Sequence, residues 1–213
     1  MKIFIAANKL QENELQSINF SGKETFTIAP NLPERHQFKN FDAYFLLNNF
    51  ADFTREIDVF ENKTVVINEV IETLSGLNLP ENFHRINAWP GFLQREIWEI
   101  VSKNPEQVKK MLNIFNRKMY FVKDEPGFVS ARVISMIINE AFFALGENVS
   151  TKNEIDLAMK AGTNYPFGPF EWAEKIGIEN VFKLLEKLAK KEERYIPAPA
   201  LKDYFLSNQN MNS

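Results

Sequence analysis

The feature that most constrains this chain is a change in its hydrophobic pattern near residue 123. Before it, short continuous apolar runs recur: Ile3-Phe4-Ile5, Phe26-Thr27-Ile28, Tyr44-Phe45-Leu46-Leu47, Val65-Val66-Ile67, Ile86-Asn87-Ala88-Trp89 and a last one at Met119-Tyr120-Phe121-Val122. Runs of this length suit strands buried on both faces, as in a parallel sheet with helices packed over it. The polar segments between them, Glu12-Asn13-Glu14-Leu15 and Asp52-Phe53-Thr54-Arg55-Glu56 among them, are short for full crossover helices, so the covering layers are expected to be incomplete. Asn104-Pro105 reads as a helix start, with Asn as cap and Pro pre-set for the first helical position.

After Asp124-Glu125-Pro126-Gly127 the chain is expected to be helical almost throughout. Residues Phe128 to Leu145 are apolar on most sides and predict a central helix stopped at Gly146. Thr151-Lys152-Asn153-Glu154 matches a capping box, with Ile155, Ala158 and Met159 expected inward and Gly162 closing that helix. Pro169 to Ile176 and Glu179 to Lys191 predict two more helices; Pro197, Pro199 and Asn208 onward read as an irregular tail.

At 213 residues the chain accommodates two domains, expected at 1–122 and 123–213. It has no cysteine, which excludes disulfides, thiolate catalysis and cysteine-bound zinc. Only five apolar residues, Ile3 to Ala7, precede Asn8 and Lys9, too few for a secretory signal, and no stretch approaches a membrane span. A cytoplasmic location without membrane contact is the expectation. A net charge of -3 with interspersed signs gives no footprint for nucleic acid.

The series Asp124-Glu125-Pro126-Gly127-Phe128-Val129-Ser130-Ala131-Arg132, Asn139-Glu140-Ala141, Ile155 to Gly162 and Pro166-Phe167-Gly168-Pro169-Phe170-Glu171 resembles, in order and spacing, the C-terminal domain of the 3-hydroxyacyl-CoA dehydrogenases. The resemblance implies an α/β half followed by an all-α half. The first is a reduced Rossmann-like parallel sheet and the second a helical C-terminal domain of the 6-phosphogluconate-dehydrogenase-like kind. It also implies a homodimer through the helical half and an acyl-CoA cleft beside it. Conformation alone accounts for the motif's prolines and for Gly127 and Gly168.

The family oxidises the 3-hydroxyl carbon of an acyl-CoA with NAD, using a His that takes the hydroxyl proton, a Glu that orients it and an Asn that holds substrate. The resemblance puts the Glu on Glu99, in Ile97-Trp98-Glu99-Ile100, the His position on Asn87 and the Asn position on Ala131, beside Arg132. An amide cannot take the proton, so two of the three groups are missing. His84 lies three positions before Asn87 and is expected on the opposite face of any strand they share; His36 sits in a polar loop.

A Rossmann cofactor site needs a glycine turn after the first strand and an acid after the second. Here the first strand runs into Ala6-Ala7-Asn8-Lys9-Leu10, and the first glycine is Gly22. The stretch between Ile5 and Asp42-Ala43-Tyr44-Phe45 is too short for the helical arm that contacts CoA in the family. Lys9 reads as a solvated lysine. No cofactor is therefore expected, NAD being implied by resemblance alone. The leading expectation is a non-catalytic relative with a binding or assembly role, with acyl-CoA or a protein as partner. The rival is an oxidoreductase of fatty-acid β-oxidation using an atypical cofactor site or a complete partner subunit.

Overall fold

The computed structural model describes residues 1–20, 25–48, 53 and 57–211, which form two compact units, Met1–Phe128 and Val129–Ser213. The expectations for Gly22 and for most of Asp52 to Glu56 fall outside the described residues.

The first unit is built on one seven-stranded sheet: β1 (Lys2–Ala6), β2 (Thr25–Ala29), β3 (Ala43–Leu46), β4 (Thr64–Asn68), β5 (Phe83–Ile86), β6 (Ile97–Val101) and β7 (Lys118–Phe121), in the spatial order β2-β1-β3-β4-β5-β6-β7. All neighbours pair in parallel except β5 and β6. One face carries Ile3, Ile5, Phe45, Val66, Trp98 and Ile100 against helices α1 (Lys9–Gln16) and α2 (Pro105–Leu112). Alternation turns Phe4 and Tyr44 to the other face. There, in place of a full helical layer, Phe38, Phe41, Phe60 and Phe83 join them in a chain of ring contacts with centroids 5.0–6.1 Å apart. Among the described residues this face is thus covered by aromatic side chains. The Tyr44 hydroxyl, donating to the Phe38 carbonyl at 2.8 Å, has its pKa raised by burial.

Three expectations need correction here. The run Ile86 to Trp89 is mostly past its strand: β5 starts at Phe83, because His84 and Arg85, which read as polar, are both wholly buried. Ile97–Val101, which is not among the apolar runs, adds a further strand. β2 is an edge strand, half exposed, with Phe26 at 37%. The segment Asp124 to Phe128, grouped by sequence with the helices, is bonded to the first unit: Gly127, at φ +82°, donates its amide to the Val70 carbonyl at 2.8 Å.

The second unit consists of α3 (Ser130–Gly146), α4 (Lys152–Thr163), α5 (Pro169–Ile176), α6 (Ile178–Ala189) and α7 (Pro199–Met211). α3 is central, packing on α5, α6 and α7. Its Asn139 holds the segment before α7 with both ends of its amide, donating to the Ile196 carbonyl and accepting from the Ala198 amide. Asp156 of α4 accepts from the Phe170 and Glu171 amides and so caps α5 from a neighbouring helix. A Cβ at Gly168 would lie 2.3 Å from the Asp156 carboxylate, so only glycine fits. The tail expected to be irregular is helical, Pro199 opening it in the first turn, where a missing amide costs no intrahelical bond.

Candidate functional site

In open α/β sheets, ligands bind beyond the carboxyl ends of the strands, where the chain reverses direction across the sheet. Here that point lies between β1 and β3, since the chain runs from β1 outward to β2 and then returns to the other side of β1. Each of these strand ends leads into an asparagine or carries one: Asn8 after β1, Asn48 after β3, Asn68 closing β4 and Asn87 after β5.

Their amides are turned on the protein itself. At the start of α1, Asn8 Oδ1 accepts from the Gln11 amide at 2.9 Å while Gln11 Oε1 accepts from the Asn8 amide at 3.1 Å, a reciprocal cap. Gln11 Nε2 then crosses to the Leu47 carbonyl at 2.6 Å, and Asn68 Nδ2 donates to that same carbonyl at 3.1 Å. Asn68 Oδ1 takes the Ala88 amide, and Asn48 Nδ2 donates to the Pro30 carbonyl. Deeper along α1, Glu14 accepts from the Gly91 amide at 2.6 Å.

These residues do not fit a dinucleotide. A pyrophosphate needs bare backbone and a helix N-terminus aimed at it; here Ala6 and Ala7 are buried side chains and Asn8 and Gln11 occupy the helix end. β2 ends at Ala29 and is followed by Pro30, not by an acid. Lys9 is exposed and paired with Glu12.

The β5–β6 pairing sets Arg85 opposite Val101 and Ile86 opposite Ile100; carried one step past the end of β5, this register would set Asn87 opposite Glu99. Side chains so placed lie about 5 Å apart at their Cβ atoms. Asn87 is buried, its Oδ1 accepting from the Trp89 amide at 3.3 Å, and Glu99 is half-buried beside Tyr120 of β7. Ala131, in the first turn of α3, is fully buried and offers no polar group.

His84 faces the other way from Asn87. It is fully buried, its Nδ1 is 3.0 Å from Ser102 Oγ, and burial lowers its pKa to about 4, so it is a neutral core residue. Ser102 in turn accepts from the Asn104 amide, linking the histidine to the turn before α2. His36 is exposed beside Glu34. Among the described residues no three His, Cys, Asp or Glu side chains are grouped to hold a metal, and no helix is long and apolar enough to cross a membrane.

A cluster absent from the sequence reading is the Arg85 clamp. Its guanidinium, wholly buried, reaches Asp124 at 2.5 Å and the carbonyls of Glu69, Val70 and Glu125, and stacks 4.7 Å from the Phe128 ring. Burial lowers the Arg85 pKa and by itself would raise that of Asp124. The guanidinium and the Leu74 and Ser75 amides outweigh it, leaving the carboxylate below its usual range. No sequence period joins positions 39 apart, but a lone Arg in an apolar run signals a buried partner. The Asn8-x-x-Gln11 spacing was the available signal for the closed helix end.

Comparison with known proteins fits this division. The family described as 3-hydroxyacyl-CoA dehydrogenase, C-terminal domain, matches residues 127–212. The 3-hydroxyadipyl-CoA dehydrogenase of Escherichia coli (strain K12) is 39% identical over 94 residues, 43% of this chain and 20% of that protein. A probable 3-hydroxybutyryl-CoA dehydrogenase of Bacillus subtilis (strain 168) is 40% identical over 85 residues, 39% of this chain and 30% of that protein. The chain thus spans less than a third of the length of either curated relative. The crystal structure of (S)-3-hydroxybutyryl-CoA dehydrogenase from Ralstonia eutropha superposes with a TM-score of 0.74 over 97% of this chain and 94% of that one, at 17% identity, which establishes a shared fold. Residues 127–212 thus match the C-terminal domain of the 3-hydroxyacyl-CoA dehydrogenases, and the likeness of sequence to the curated relatives extends over less than half of this chain.

Proposed function

We propose that this protein is a pseudoenzyme of the family, a cytoplasmic homodimer that does not use NAD and serves a binding or assembly role linked to acyl-CoA metabolism. The observation that carries the reading is the closed helix end: Asn8 and Gln11 cap α1 reciprocally, and Gln11 bridges to the Leu47 carbonyl across the point where a pyrophosphate would enter. Freeing these groups for a cofactor sacrifices several hydrogen bonds worth about 0.5–1.5 kcal/mol each. Asn87 and Ala131, at the positions of the family's His and Asn, supply neither a base nor a substrate-holding amide of the required kind, and Glu99 is a remnant of the family's third group.

The homodimer is supported by α4. Asp156 is the one buried residue of this helix; Ile155, Ala158, Met159 and Gly162 share one face by spacing, and Leu157 stands 66% exposed on another. An interface built around α4 on its Leu157 side would cover that residue. Light scattering at tens of micromolar should give twice the chain mass; a monomer would count against it.

The rival reading, an oxidoreductase completed by an atypical cofactor site or by a partner subunit, draws on Glu99, which the continued β5–β6 register would set opposite Asn87. Calorimetric titration with NAD and NADH separates the two. No binding is expected; a Kd near ~1 µM, about -8 kcal/mol, would overturn the pseudoenzyme reading.

A further inference from the structure

The sheet ends at β7, and among the described residues half of that strand's backbone has no hydrogen-bond partner. Lys118 donates its amide to the Glu96 carbonyl and Val122 to the Ile100 carbonyl, each at 2.9 Å, so residues 118, 120 and 122 face β6. By alternation the N–H and C=O groups of Met119 and Phe121 point away from the sheet. An unprotected edge of this kind is a template for another strand.

Beside this edge, on the α2 side, runs a groove of about 430 Å³ lined by Glu106, Lys109, Lys110, Asn113, Arg117 and Met119. Its one carboxylate, Glu106, is neutralised by Lys109 at 2.6 Å. Among the described residues Lys110 and Arg117 have no such partner, and Arg117 Nε is buried without a hydrogen bond. Helix-dipole compensation accounts for lysines in the last turn of α2 but not for Arg117, which precedes β7. Arg117 and Met119 project to the same face as Phe121, whose ring centroid lies 5.6 Å from Lys109 Nζ.

We propose that the β7 edge and its basic groove bind an extended acidic segment of a partner protein, which adds to the sheet as an eighth strand with carboxylates at alternate positions on the groove side. The outward groups of Met119 and Phe121 supply the main-chain bonds, and Lys110 and Arg117 meet successive carboxylates. A second copy of this chain is a poor occupant, because pairing β7 with β7 about a two-fold axis sets these cations against their own kind. The inference stands on the β7 edge alone and does not depend on how the strand ends near β1 are read.

The test is fluorescence polarisation with the full chain and a capped, dye-labelled nonapeptide alternating Glu and Thr. Three further peptides serve as comparisons: one with the same residues but all Glu contiguous, and two N-methylated on one or the other alternate set of amides. Saturable binding of the alternating peptide is expected. One N-methylated set but not the other should abolish it, and the surface pair Lys110→Glu and Arg117→Glu should weaken it by about tenfold or more. No binding, equal binding of the contiguous peptide, indifference to both N-methylations, or ready displacement by inorganic phosphate would each overturn the proposal, the last by showing a small-anion site instead.

Discussion

At the carboxyl ends of β1, β3 and β4 the polar side chains are spent on one another, Gln11 and Asn68 sharing the Leu47 carbonyl, whereas on α4 of the helical unit the apolar side chains are left facing outward, with Leu157 at 66% exposure. The two regions belong to one chain and use their side chains in opposite ways. On the proposed reading, the first is a ligand site closed by satisfying its own donors and acceptors. A surface that still needs a partner keeps apolar residues that no neighbour within the chain covers. The contrast predicts a first unit that is stable by itself and insensitive to cofactor, and a second unit whose outer face matters only in association.

The strongest challenge to the first half of this contrast is at the Arg85 clamp. Asp124→Ala leaves a fully buried guanidinium without its carboxylate, and urea unfolding should show a loss of about 3–5 kcal/mol. A loss below about 1 kcal/mol would mean that the polar interior is not held as the geometry indicates.

His84 gives a graded version. Its pKa of about 4 when folded, against the ordinary 6.5, means that the unfolded chain takes up the proton first as pH falls. Its contribution is therefore complete above about pH 6.5 and is lost on the way down to about pH 4, amounting to roughly 3 kcal/mol. Unfolding midpoints followed from neutral to acid pH should fall more steeply for the unmodified protein than for His84→Gln. Parallel profiles would contradict the assignment.

On the other side of the contrast, Leu157→Glu should change the stability of the single chain by no more than about 0.5 kcal/mol, yet shift the light-scattering mass to that of a monomer. A variant that stays dimeric would move the interface away from α4.

Much of the architecture follows from local chemistry that a sequence displays. The Thr151 and Glu154 capping box opens α4, Pro169 and Gly177 bound α5, and the continuous apolar runs mark β1, β3 and β4. What escaped depends on partners distant in sequence. β5 begins three residues before the expected run because Arg85 and His84 become core residues only once Asp124 and Ser102 reach them. α4 presents the period of a buried helix, and nothing in that period tells whether the cover comes from the same chain or from another. At the site, family motifs name positions 87 and 99, but only the antiparallel register of β5 and β6, continued one step, relates them in space. The closure by Gln11 of a carbonyl 36 residues away has no local signature at all.

The central claim, that the first unit has lost its dehydrogenase machinery rather than a single residue of it, is tested most directly by Asn87→His combined with Ala131→Asn. A general base contributes about 10²–10⁴-fold, but only when cofactor and substrate are already held in attacking geometry. The measurement is NADH formation from 3-hydroxybutyryl-CoA and NAD, with the unmodified protein alongside and circular dichroism to confirm that Asn is accepted at the buried position 131. The account predicts no turnover in either protein, because the capped end of α1 gives NAD no seat beside the returned imidazole. Turnover by the double variant well above the unmodified protein would show a working nucleotide site and contradict it.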